Sequence, residues 1–254
     1  MPLFSAVASL ANPARFSAFA ARVLPWLAGA TAIAVAVGLY LGLFVAPPDY
    51  QQGETVRIMF LHVPSAWLAM FAYALMAVAS LGVLVWRHPL ADVAAKAAAP
   101  LGAAFTLIAL ATGSLWGKPM WGAWWVWDAR LTSFLILFLM YLGLMALRSA
   151  MEEPSRAAKA CAILTLVGSI NLPIIKFSVD WWNTLHQPAS VMRAGKPAMD
   201  ASILIPLLVN AFAFTLLFMT LHVAAMRTEL IRRRLRTLRI TAASRASLAP
   251  EPVR

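Results

Sequence analysis

Residues 97–148 read AAAPLGAAFTLIALATGSLWGKPMWGAWWVWDARLTSFLILFLMYLGLMALR. Two apolar runs, about 97–116 and 131–147, flank a segment with four tryptophans in seven residues: Trp121, Trp124, Trp125 and Trp127. Each run is close to the roughly 20 residues that cross a hydrocarbon core. The stretch therefore reads as a membrane hairpin whose two spans meet at an aromatic connection.

Four more runs extend the pattern, at about 23–46, 58–86, 157–179 and 201–225. The first ends at Pro47-Pro48, the third run in chain order is entered through Pro100, and the fifth carries Pro173 near its end. Backbone in lipid must satisfy its own hydrogen bonds, so all six are expected to be helices. The composition agrees: 62% of the 254 residues are hydrophobic and 12% charged. Soluble domains carry about 25% charge, so a soluble fold is excluded. The organisation expected is an N-terminal cytoplasmic or interfacial segment (1–22), a six-helix transmembrane domain (23–225) and a basic tail (226–254), with 242–254 disordered. Residues 1–22 carry Arg15 and Arg22, and no cleavable signal peptide is read there. The one cysteine, Cys161, lies in an apolar run and allows no intrachain disulfide.

Lys and Arg set the orientation, because cytoplasmic connections retain them. With the N-terminus inside, fifteen fall on the inner side and five on the outer, and Lys176 snorkels outward from the fifth helix. Both termini are then cytoplasmic. The helical extension TELIRRRLRTLRI is expected to run along the inner surface toward anionic lipid.

The outer loops, 47–57, 117–130 and 180–200, collect the chemistry. Trp121, Trp124, Trp125 and Asp128 recur at i, i+3, i+4, i+7, which predicts a short interfacial helix with three indoles on one face. One or two tryptophans make an interfacial belt; four in seven residues suit a platform for a flat ligand. Asp128 and Arg130 could pair with each other, cap the fourth helix or touch that ligand. Of the four histidines, His88 reads as a solvated inner residue and His222 as interfacial. His62, in RIMFLHVPSAW, and His186, in WWNTLHQPAS, lie at similar depth on the tryptophan side. Imidazole is a common axial ligand of haem iron, and two from separate segments can take opposite faces of one macrocycle. Arg57, Arg130, Arg193, Lys118 and Lys196 lie outside, against the charge rule; Arg57 and Arg130 are the better candidates for the two haem carboxylates. The acids Asp49, Glu54, Asp180 and Asp200 read as solvated, and Asn171, Asn210, Pro173 and Pro206 as helix-packing and kink residues. No glycine-rich phosphate loop, HExxH or Ser/His/Asp arrangement is present, so no catalytic motif is assigned.

WGAWWVWDARLTS, PPDYQQG before RIMFLHVPSAW, and NLPIIKFSVDWWNTLHQ together resemble the tryptophan-rich (WWD) family of haem-handling cytochrome c biogenesis proteins, over about residues 23–225. Six spans and two outer histidines match its smaller, haem-exporter branch. The resemblance implies haem b bound on the periplasmic side of the bacterial inner membrane, with His62 and His186 as axial ligands. It implies that Trp121 to Asp128 support the macrocycle and dock the haem chaperone CcmE. The small protein CcmD and an ATPase complex of CcmA and CcmB are the further partners implied. Two other classes compete. A membrane b-type cytochrome in electron transfer would place histidines across the bilayer, and a haem permease subunit would line a path through the spans with polar residues.

Overall fold

The computed structural model describes residues 11–187, 190–191 and 195–247. Arg193, the first ten residues and the last seven lie outside them. Helix α1 (Pro13–Tyr40) begins where the Asn12 side chain accepts from the Ala14 and Arg15 amides and Pro13 takes the first helical position. It passes into a π turn, Leu41–Val45. A tight loop follows, in which Asp49 Oδ1 accepts from the Gln51 and Gln52 amides and Gly53 sits at φ 56°. A 3-10 turn, Glu54–Ile58, leads into α2 (Met59–Trp86). Then come α3 (Pro89–Trp121), α4 (Ala129–Ala150), α5 (Pro154–Gly168), α6 (Asn171–Trp181) and α7 (Ala201–Ser247). With α5 and α6 counted as one crossing, six helical spans among the described residues are long and apolar enough to cross a membrane. Even α4, at 22 residues, is about 33 Å long and matches a hydrocarbon core of about 30 Å.

Several details depart from the sequence expectations. The segment 13–22 is the first part of α1, continuous with the first span. The fifth span breaks at Ser169–Ile170. Pro173 has no N–H for the Ser169 carbonyl and its ring crowds that carbonyl, so the helix restarts one turn earlier. Helix α7 is unbroken for 47 residues, about 70 Å, and includes 242–247, expected to be disordered. The expected tryptophan helix is absent: 122–128 is extended loop. Gly122, at φ 76°, ends α3 with its amide on the Lys118 carbonyl, and Asp128 then caps α4 by accepting from the Leu131 amide at 2.7 Å. Five residues between two caps leave no room for an independent helix, so those caps override the spacing.

Lipid tails are as apolar as leucine, so membrane helices associate through close packing and hydrogen bonds. The α2–α3–α4 core uses both. Ala95, Ala98, Ala99 and Ala103 give α3 a shallow face against Leu68, Ala72, Tyr73 and Met76 of α2. Tyr141 of α4 reaches across, its hydroxyl donating to the Ala69 carbonyl at 2.7 Å and its ring resting where a Gly102 side chain would stand. Helix α1 meets α7 through Asn210 Nδ2, which donates to the Gly38 carbonyl at 2.7 Å, and through the Thr31–Thr220 hydroxyl pair at 2.8 Å. Asn171 Nδ2 donates to the Ser133 carbonyl at 2.9 Å. Asn171 and Asn210 are thus the packing residues the sequence suggested. His222, expected at an interface, is buried and stacked on Phe218.

The even number of spans puts Asn12 and the end of α7 at one end of the bundle. That end carries an ion network. Asp92 accepts from Arg148 at 2.7 Å and from Arg233, while Glu229 accepts from Lys96 at 2.7 Å and Arg233 at 2.9 Å. These bonds staple α7 to α3 and α4 where it leaves the core.

Gly102→Val is expected to destabilise the bundle by about 1–3 kcal/mol, because the new side chain must displace the Tyr141 ring. Gly143→Ala, with open space around the new methyl, should change stability by less than about 0.5 kcal/mol. Thermal unfolding of the two variants in detergent distinguishes the positions.

Candidate functional site: a tryptophan-walled cavity

At the other end of the bundle a cavity of about 780 Å³ opens between α2, α3, α4 and α6. This lies within the range of about 300–1,000 Å³ typical of ligand pockets. Its floor is apolar: Ala66 and Met70 from α2, Ala109 and Leu110 from α3, Phe134 from α4. Trp121, Trp124 and Trp125 form the wall on the loop side. His62 and His186 both line it.

His62 stands on the first turn of α2. Its Nδ1 lies 3.1 Å from Thr112 Oγ1, and that hydroxyl donates to the Ile108 carbonyl at 2.6 Å. With its one proton given to Ile108, Thr112 accepts from His62. The imidazole proton is thereby held on Nδ1, and the Nε2 lone pair is left available as a metal ligand. Trp116 packs edge-on at 5.6 Å, its own Nε1 donating to Gln52 at 3.1 Å. Gly113 lies against the ring, where a Cβ would press on Cε1.

His186 comes from the loop after α6. Trp121 packs against it at 5.0 Å, and its Nδ1 faces Asp128 Oδ2 at 4.0 Å. Both atoms are buried without a hydrogen-bond partner among the described residues. Asp128 thus divides its oxygens: Oδ1 caps α4, and Oδ2 faces the imidazole. Burial first, and then the Arg130 charge, lower the His186 pKa from 6.5 to about 4, so the ring is neutral near pH 7. A neutral imidazole facing a carboxyl oxygen through Nδ1 also presents Nε2.

Arg130 lines the cavity from α4. Its Nε donates to Ser178 Oγ at 3.0 Å, and its Nη2 reaches the Ile175 carbonyl at 3.3 Å. Lys176 and Asp180 of α6 also line it. Both are exposed, as expected of a snorkelling lysine and a solvated acid. The buried Trp125 Nε1 has no acceptor among the described residues. Trp127 points away from the cavity, is 75% exposed, and packs edge-on against Trp125 at 5.5 Å. Arg57 does not reach the cavity. It is held by Glu54 at 2.6 Å and by the Leu43 carbonyl, a local pairing its i, i+3 spacing permits. Lys118 lies 6.0 Å from the Trp124 ring and donates to the Gly122 carbonyl, which supports the loop and not the cavity.

Thr112 and Ser114 were not anticipated. Ser114 Oγ donates to the Trp124 carbonyl at 2.7 Å and ties the tryptophan loop to α3. The signal was the cluster Thr112-Gly113-Ser114, three small or polar residues inside an apolar run. Among the described residues no three His, Cys, Asp or Glu side chains gather as for a bare metal ion. Two imidazoles over a broad apolar floor suit a metal whose other ligands arrive with it. Arg130, Lys176 and the free Trp125 N–H supply donors for acidic substituents.

A family model described as Heme exporter protein C (CcmC) matches residues 6–241. The chain is 71% identical over 242 residues to a Heme exporter protein C from Bradyrhizobium diazoefficiens, covering 95% of this chain and 92% of that one. It is 49% identical over 229 residues to the protein of that name from Paracoccus denitrificans, covering 90% and 95%, and 48% identical over 222 residues to that from Escherichia coli, covering 87% and 89%. The chain belongs to the CcmC family.

The depressed His186 pKa has a pH signature. The unfolded chain protonates this histidine near 6.5 and the folded chain near 4, so the unfolded state binds more protons in between. Stability is expected to fall as pH is lowered from about 6.5 toward 4. In His186→Gln the fall should be smaller, as measured by thermal unfolding across that window.

Proposed function

We propose that this multi-pass membrane protein holds haem b in the tryptophan-walled cavity and passes it to the haem chaperone CcmE for cytochrome c maturation. The observation that carries the proposal is that two imidazoles from separate segments line one apolar cavity. The names of the relatives, heme exporter protein C, support haem as the cargo. The excess of Lys and Arg at the opposite end supports a cytoplasmic basic end and a periplasmic cavity, in a bacterial inner membrane.

In this reading His62 and His186 are the axial ligands of the iron. Thr112 orients the first, and Asp128 orients the second once the imidazole closes from 4.0 Å to hydrogen-bond distance. Arg130, and not Arg57, meets a propionate, with the Trp125 N–H as a further donor. Trp121, Trp124 and Trp125 cover the macrocycle and exclude water. Exposed Trp127, beside exposed Trp124, forms the edge on which the chaperone docks. The nucleophile that captures the haem vinyl belongs to the chaperone, and this chain's work is ligation, orientation and release. CcmD and the CcmA–CcmB ATPase complete the assembly. Both histidines lie at one end of the bundle, which favours delivery over electron flow across the bilayer.

Absorption spectra of the protein purified with its chaperone test the proposal. His62→Ala and His186→Ala are each expected to lose the six-coordinate bis-imidazole spectrum and to lower chaperone loading at least about tenfold. Arg130→Gln should reduce retained haem, while Arg57→Gln should leave the spectrum unchanged. Wild-type spectra and loading in both histidine variants would overturn the bis-histidine site.

A further inference from the structure

A second cavity, of about 540 Å³, opens at the basic end of the bundle. It is separate from the histidine site and plays no part in the chemistry proposed there. Its inner part is apolar, lined by Met76, Val83, Leu144, Ala95, Ala158 and Ala162. Alanines at three of these positions leave the space open. Its mouth is charged. Lys96, Arg148 and Arg232 line it together with Asp92 and Glu229. The two acids are fully engaged: Asp92 by Arg148 and Arg233, Glu229 by Lys96 and Arg233.

Four cations therefore surround two acids. The excess of positive charge gathers at the mouth, where Lys96 and Arg148 are half-buried and Arg232 is exposed. Arg232 makes no hydrogen bond or ion pair with any described residue, and Lys96 reaches only Glu229. Arg148 bonds Asp92 through one nitrogen and also reaches the Cys161 thiol, and its five N–H donors exceed those two partners. An occupant that suits both parts has an anionic head at the mouth and an aliphatic chain between the helices.

We infer that this cavity binds an anionic phospholipid, its phosphodiester held by Lys96, Arg148 and Arg232 and an acyl segment lying against Met76, Leu144 and the alanines. The headgroup neutralises the excess charge, and the chain fills volume that side chains leave empty. Occupancy would join α2, α3, α4, α5 and α7 around one ligand, so the lipid acts as packing at the end where the ion network staples α7. A zwitterionic lipid offers the same phosphodiester but brings a cation toward Arg232. Free phosphate matches the mouth alone.

Native mass spectrometry of the detergent-purified full chain tests this. The probes are phosphatidylglycerol, phosphatidylcholine and inorganic phosphate, compared in wild type, Lys96→Gln/Arg232→Gln and Arg236→Gln/Arg239→Gln. Each cation near a lipid surface contributes enough that losing two should weaken binding about tenfold or more. The expected result is preferential retention of phosphatidylglycerol by wild type, lost at least about tenfold in the Lys96/Arg232 variant and kept in the Arg236/Arg239 variant, with no response to phosphate. Ala158→Phe, which fills the apolar part, should also lower retention. Equal retention of the two lipids, or selectivity unchanged by the Lys96/Arg232 variant, would overturn the inference. Selectivity lost only in the Arg236/Arg239 variant would overturn it too, by moving the contact to the exposed arm of α7. Binding of phosphate as tight as that of phosphatidylglycerol would reduce the site to an anion pocket and end the lipid assignment.

Discussion

The hydrogen bond from Tyr141 to the Ala69 carbonyl fixes three helices at once. It needs a tyrosine on α4, a shallow face on α3 and a bare carbonyl on α2, with Gly102 clearing the way. In water the hydrophobic effect would draw these helices together without such detail. In lipid it does not distinguish a helix neighbour from an acyl chain, so specific contacts must fix the arrangement. Tyr141, Asn171, Asn210 and Thr31 each reach a different helix or span, and together they hold the bundle in one register. The floor of the tryptophan-walled cavity, Ala66, Met70, Ala109 and Phe134, belongs to the helices that Tyr141 locks. The site is rigid at its base because the interlock lies close below it.

The two ends of the bundle differ in their electrostatics. At the basic end buried acids are matched with arginines and a lysine, and charge is left over. At the tryptophan end Asp128 Oδ2, His186 Nδ1 and Trp125 Nε1 are buried without partners among the described residues. Unpaired buried groups are costly. Three of them lie in or beside the one cavity that also holds His62 and His186. The same cavity holds its histidines neutral or free of competing bonds, which suits them to a metal and not to a proton.

The sequence made the bundle legible because spanning segments must be long, apolar and helical. Pattern and length then carry most of the information. Asn171 and Asn210 were readable for the same reason, since an amide in an apolar run needs a partner. The site was legible in its outline: His62, His186, Trp121, Trp124, Trp125 and Arg130 all come to the cavity. What failed was local geometry. The spacing of Trp121, Trp124 and Trp125 is helical, but Gly122 and Asp128 end one helix and begin the next, and the indoles converge from a loop. Arg57 stood close to His62 in sequence and was captured by Glu54 in space. Thr112 and Ser114 escaped notice because their roles depend on which neighbour a helix face meets, and that is a property of packing.

Asp128 connects two events that would otherwise be independent. One carboxyl oxygen holds the Leu131 amide and so secures the first turn of α4; the other faces His186. Any cargo that draws the imidazole onto Oδ2 also takes rotational freedom from the group that caps the helix. The end of a transmembrane helix, remote in kind from the chemistry of a metal ligand, is tied to it through a single side chain.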